Sequence, residues 1–194
     1  MADAWNRRLE HDVSTGDTPH ALVSSFVWDL PFGRHRAHHA PRWLAAVVHD
    51  WTISGIVTVQ SGTPVAVTQA TNANAFAGFG VQRPNLVGDP RLADEARSPA
   101  RWFDTTAFAA APQFTLGTAS RNPVRGPGFR SLDLAISRRV PIGARAIELR
   151  GEVFNATNTP PLGQPNGVFG SAAFGTITTA GDPRVVQLAI RFLF

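Results

Sequence analysis

The residue groupings able to do chemistry in this chain are few, and each has a plainer reading beside it. His35, His38 and His39, with His49 further on, have the close spacing of imidazole metal ligands. No carboxylate or cysteine accompanies them nearby, and Arg34, Arg36 and Arg42 crowd the same stretch, so a solvated polar turn is the expectation. Glu148 and Glu152 could form a carboxylate pair for acid–base work. On an extended strand, however, Arg150 falls between them on the same face, which favours a salt-bridged wall. Ser61-Gly62 and Gly78-Phe79-Gly80 lack the flanking glycines of nucleophile elbows and dinucleotide-binding loops. With no cysteine in the chain, disulfides, thiolate metal sites and a cysteine nucleophile are excluded together. No nucleophile, base or metal set converges, so no catalytic, cofactor-binding or metal site is expected and an enzyme is not the reading.

The bulk properties point elsewhere. Of the 194 residues, 43% are hydrophobic and only 16% charged, below the roughly 25% of soluble domains. The 17 Gly and 15 Pro require many turns, which suits a β architecture. The pI near 11.3 reflects the lack of Lys, Tyr and Cys more than any basic patch. The 18 basic residues, all Arg, stand against 14 acids and are scattered without aromatic interleaving, so no nucleic-acid partner is expected. The first dozen residues carry Arg7, Arg8, Glu10 and Asp12 and contain no apolar stretch of signal-peptide type. The longest uncharged run, 51–82, is too rich in Thr, Ser, Gln and Asn, and is interrupted by Pro64, so it is not a membrane helix. A membrane reading must be a β one.

Period-2 alternation supplies it. Val186, Leu188, Ile190, Phe192 and Phe194 make one apolar face against Gln187, Ala189 and Arg191. Ile147, Leu149, Gly151 and Val153 alternate with Glu148, Arg150, Glu152 and Phe154. Leu132, Leu134 and Ile136 alternate with Asp133, Ala135 and Ser137. Trp51, Ile53, Gly55, Val57 and Val59 alternate with Asp50, Thr52, Ser54, Ile56, Thr58 and Gln60. A weaker case places Leu22, Ser24, Phe26, Trp28 and Leu30 on one face, with Val23 and Val27 on the other. Five strands result, each near the roughly 9–11 residues of a tilted transmembrane strand. Glu148, Arg150, Glu152, Gln187 and Arg191 are expected to face a wet lumen and the apolar faces to meet lipid.

The connections fit a barrel as well. Pro141-Ile142-Gly143 reads as a tight hairpin turn, whereas 61–130 and 156–184 read as long loops without sustained periodicity. If the last strand runs toward the periplasm, 156–184 and 61–130 fall outside and 141–144 and 31–50 inside. Long connections are then external and short ones internal, as outer-membrane barrels require.

The order of several strings adds a resemblance. Asp17-Thr18-Pro19-His20 leading into Phe26-Val27-Trp28-Asp29-Leu30-Pro31-Phe32-Gly33 resembles the "PHR…SYVYDLPFG" stretch of Oar-like TonB-dependent receptors, which carry a carboxypeptidase-regulatory-like domain far upstream. Trp51-Thr52-Ile53-Ser54-Gly55-Ile56 with Gln60-Ser61-Gly62-Thr63-Pro64 is similar to their "GWQLSGI…QSGTPF". Trp102-Phe103-Asp104 with Ala107-Phe108 resembles "WFN…AF". Arg121-Asn122-Pro123-Val124-Arg125-Gly126-Pro127-Gly128, then Leu132-Asp133-Leu134, resembles "GNAGRNILRGPGFQNWDLSL". Glu152-Val153-Phe154-Asn155-Ala156-Thr157-Asn158, Phe174-Gly175-Thr176-Ile177 and Ala180-Gly181-Asp182-Pro183-Arg184 continue in family order.

The resemblance implies an all-β chain of antiparallel up-and-down strands forming the C-terminal part of a transmembrane β-barrel with long extracellular loops. Residues 1–20 are then a remnant of an extracellular loop and 21–194 the barrel segment. It implies a cell outer-membrane location and a place in a receptor that imports a bulky nutrient. Leu188, Ile190, Phe192 and Phe194 become the signal read by the outer-membrane barrel assembly machinery. The partners implied are outer-membrane lipid, that machinery, the remaining barrel strands and plug, and a nutrient ligand; no cofactor is implied. Family barrels have on the order of 22 strands, so five strands without a plug or TonB box are expected to be a fragment. With no Tyr, an interfacial aromatic girdle must rest on Trp and Phe. The rival from the residues alone is a soluble β-sandwich that binds glycans through Trp and Phe in its loops.

Overall fold

A computed structural model describes residues 10–31, 49–78 and 80–194. Its strands, in chain order, are β1 (Ala21–Asp29), β2 (Trp51–Gln60), β3 (Pro64–Val65), β4 (Thr68–Gln69), β5 (Asn85–Leu86), β6 (Phe108–Ala109), β7 (Val124–Arg125), β8 (Phe129–Ile142), β9 (Arg145–Phe154), β10 (Val168–Phe169) and β11 (Val185–Leu193). The described residues fall into two units, each drawn from several stretches of chain.

One unit is a five-stranded sheet in the order β1-β2-β8-β9-β11. Its strands neighbour one another in the order they occur in the chain, which is the up-and-down arrangement. All five alternating segments read from the sequence are in it. β8 and β9 pair antiparallel from Leu134↔Val153 to Ile142↔Arg145, and β9 pairs antiparallel with β11 from Val185↔Phe154 to Leu193↔Ala146.

Strand β8 runs on through Pro141 and Ile142, which sequence placed in the turn. The reversal uses only Gly143 and Ala144, and only Gly143 has a positive φ, 60°. A two-residue loop with glycine first and positive is the II′ geometry, whose twist matches that of the flanking strands. Proline is tolerated at position 141 because it stands at the strand's end. The far end of β9 stops where Asn155 and Asn158 take positive φ of 50° and 52°. The Asn155 amide N–H donates to Asp133 Oδ1 at 2.8 Å, while its own Oδ1 accepts from the Thr159 amide at 3.0 Å. Gly55 lies where three strands meet on the apolar face. A Cβ there would come within 2.7 Å of the Phe26 ring and 2.9 Å of Leu134 Cδ2, so the missing side chain is the slot those two groups occupy.

The second unit comprises described residues 10–20, 60–78, 80–129 and 161–181. Sequence read most of this as loop, and its six strands are two residues each. β3 pairs with β7 and β5 with β6, both antiparallel, and β10 pairs with β4 in parallel. So little ladder leaves the work to a small core of Val65, Val67, Phe103, Ala107, Phe108, Ala119 and Val124. Phe174 stands edge-on to three rings, with centroids 5.2 Å from Phe103 and 5.5 Å from both Phe108 and Phe169. Burying each such ring contributes roughly 1.5–3 kcal/mol, and edge-to-face packing adds to it. Gly62 permits a close passage of two chain segments, since a Cβ there would overlap the Gly126 carbonyl oxygen.

Candidate functional site

In the sheet, the registers of β8, β9 and β11 sort side chains into two sets. One face carries Leu134–Val153–Val186, Ile136–Gly151–Leu188, Arg138–Leu149–Ile190 and Val140–Ile147–Phe192 as rows across three strands. The other carries Ala135–Glu152–Gln187, Ser137–Arg150–Ala189 and Arg139–Glu148–Arg191. Every residue expected to face a lumen, namely Glu148, Arg150, Glu152, Gln187 and Arg191, therefore shares one face. Leu188, Ile190 and Phe192 share the opposite one.

The charges on the polar face are ordered. Arg150 donates from Nε and Nη2 to Glu152 Oε1 at 3.0 and 2.7 Å. Two positions away, Glu148 lies in register between two cations, Arg139 and Arg191. Opposite charges facing one another across strands are the favourable arrangement. Glu148 and Glu152 are four residues apart on an extended strand, about 13 Å at the usual rise. Paired carboxylates that cleave glycosides stand roughly 5–9.5 Å apart. The strand thus builds an ion-paired wall and no acid–base dyad.

Among the described residues, none covers the β11 portion of the apolar face. Leu188 is 83% exposed, and Val186, Ile190 and Phe192 are also exposed. Arg138 breaks the apolar series, five residues before Gly143 of the hairpin turn. Its guanidinium carbon lies 5.8 Å from the Trp51 ring centroid, and Arg145, just past the turn, places its own 5.6 Å from the Phe194 ring. Two cation–aromatic pairs thus mark the turn end of the sheet. Sequence reasoning passed over Arg138 and Arg145. The signal was a parity violation: Arg138 occupies the position the alternation reserves for an apolar residue.

In the second unit, polar side chains tie distant segments together. Gln82, buried, donates to the Thr115 carbonyl at 2.8 Å and accepts from the Ala73 amide at 2.8 Å. Gln69 Oε1 accepts from the Ala111 amide at 2.8 Å. Asn74 Oδ1 accepts from the Phe114 amide at 2.7 Å, and its Nδ2 donates to the Thr115 carbonyl at 2.6 Å. Residues 10–17 are held by ion pairs from Glu10 to Arg83 and from Asp17 to Arg125, the latter at 2.6 Å. Asp12 accepts from the Asn122 amide at 2.7 Å. Burial pushes the Asp12 carboxyl up. Hydrogen bonds from the Asn122 amide, Ser120 and the Val13 amide, with the charge of Arg83, outweigh that and hold it below the ordinary aspartate value. Asp104 is also held low, by the Thr106 hydroxyl and amide and by Arg101.

Of the candidate metal ligands, His35, His38 and His39 lie outside the described residues. Among the described residues no group of three or more His, Asp or Glu is placed to hold a metal ion. Phe79, in the Gly78-Phe79-Gly80 string, is also outside them.

Comparison with known families gives a match to an outer membrane beta barrel domain over residues 1–187. No curated protein and no solved structure gave a match.

Proposed function

Because the chain belongs to the outer membrane beta barrel domain family, we propose that it is a stretch of barrel wall from a TonB-dependent receptor of the Oar-like type. The chain is an all-β, antiparallel outer-membrane barrel protein. The observation that carries the barrel-wall reading is the sorting of side chains across β8, β9 and β11, with an apolar face that no described residue covers on β11 backed by a face of paired charges. An apolar face of this kind is stable against acyl chains, and the charged rows against water in a lumen. The Arg–aromatic pairs at the hairpin end suit a membrane interface, where Trp, Phe and Arg supply the belt that Tyr would otherwise share. Beyond the five-stranded sheet, the described residues form only two-stranded sheets, which is not the partner sheet a β-sandwich needs.

In this reading Glu148, Arg150, Glu152, Gln187 and Arg191 line the lumen. Leu188, Ile190, Phe192 and Phe194 present the assembly signal, recognised by strand addition. The family strings, in order along the chain, support the receptor type and the import of a bulky nutrient. Sequencing the transcript across Met1 tests it. An in-frame extension encoding further alternating strands, a plug and a TonB box is expected. A stop codon directly upstream, with the 194-residue chain accumulating by itself, would overturn the receptor assignment.

A further inference from the structure

One feature of the second unit has no part in its core. Phe76 and Phe114 are 66% and 79% exposed, yet their rings pack edge to face with centroids 5.6 Å apart and planes at 82°. Phe114 has a φ of 65°, a left-handed conformation that bulky residues rarely adopt. The conformation is imposed by a side chain that is itself 3% exposed. Asn74 fixes the Phe114 amide from below and, with Gln82, grips the next carbonyl, Thr115. The second ring rides on the same frame, since Phe76 is two residues from Asn74. The same buried amides that tie the segments together thus hold a left-handed backbone that displays two rings to solvent. Strain of this kind gathers at binding sites.

We infer that Phe76 and Phe114 form a stacking platform for a neutral, hydroxyl-rich ligand, a pyranose with its substituents equatorial. Two perpendicular rings make a corner. The electron-rich face of one takes the C–H face of a flat sugar, and the other closes a side. Charge selects the ligand class. No Asp, Glu, Lys or Arg occurs in 51–82 or in 105–120, the stretches that carry the two rings. Exposed polar residues close to them in sequence are Thr71, Gln113 and Thr115. Such a surround matches hydroxyl groups and gives no counter-charge to phosphate or carboxylate. The inference concerns this unit alone and stands whether or not the barrel belongs to a TonB-dependent receptor.

Saturation-transfer NMR on the full chain in detergent micelles tests it, with cellohexaose and maltohexaose as probes and a trileucine peptide as the apolar competitor. Transfer to the axial ring protons of cellohexaose is expected, with weaker transfer to maltohexaose, whose axial linkage breaks the flat face. Phe76→Ala and Phe114→Gly should each weaken cellohexaose at least about tenfold, which corresponds to about 1.4 kcal/mol. Glycine adopts the Phe114 conformation without strain, so Phe114→Gly should keep or raise thermal stability; lost binding there cannot be put down to misfolding. Absence of transfer to cellohexaose, binding by the two variants as tight as by the wild type, or preference for the peptide would each overturn the proposal.

Discussion

Replacing Leu188 by Arg separates a sheet that faces lipid from one that faces water. Leu188 is 83% exposed, so about a sixth of its surface touches protein, mainly the groove over Gly151 and beside Ile136. Burying a whole leucine is worth roughly 1.5–3 kcal/mol, so those contacts amount to about 0.3–0.5 kcal/mol. If water covered the face, Leu188→Arg would change stability by no more than that, within the range of ordinary surface substitutions. If acyl chains cover it, a guanidinium near mid-strand costs about 2–4 kcal/mol. Gln187→Arg is the control, one residue away on the other face and in register with Glu152, and should be neutral within about 0.5 kcal/mol. The assay is urea unfolding of the whole barrel that carries these strands, refolded into phosphatidylcholine vesicles and followed by the heat-dependent gel shift of folded barrels. Equal effects of the two substitutions, or a harmless Leu188→Arg, would refute the assignment of faces.

Deleting Phe194 should lower the amount of folded, heat-modifiable protein recovered in outer membranes; unchanged recovery would remove the assembly role from the last strand. Gly62→Ala should destabilise the second unit by about 1–3 kcal/mol, because its methyl would meet the Gly126 backbone; faster proteolysis within 60–129 is the readout. For Asp12, the folded carboxyl sits below its ordinary value near 3.8, so its contribution is present above that value and disappears as pH falls through the folded one. The thermal midpoint should therefore drop on acidification below about pH 4 more steeply in the wild type than in Asp12→Asn.

Five strands were legible because each alternates over six or more residues, long enough for a period of two to stand out from chance. The hairpin was legible from Gly143, although Pro141 drew the turn two residues too early; a proline at a strand's end removes one donor and leaves the strand intact. The second unit was hidden for a physical reason. Its strands are two residues long, and two residues have no period. Its core joins Val65, Phe103, Phe108 and Phe174 from remote parts of the chain, and its frame is side chain to backbone, as at Gln69, Asn74 and Gln82. Phe114 looks unremarkable in sequence, since nothing local predicts a left-handed backbone at that residue. The polar face, by contrast, could be named residue by residue, because one register determines all of it.

The two units take turns along the chain: described residues 10–20 belong to one, 21–31 and 49–59 to the other, and the exchange repeats twice more before Phe194. Glu10 finds Arg83, and Asp17 finds Arg125, only by skipping over β1 and β2. Neither unit can be cut out as one uninterrupted gene segment. A grafted copy of the loop assembly would need three pieces re-spliced with new bridges in place of the sheet strands. Swapping only the tips at 71–78 and 112–115 would leave every splice point untouched, which makes those tips the practical place to re-engineer what the surface holds.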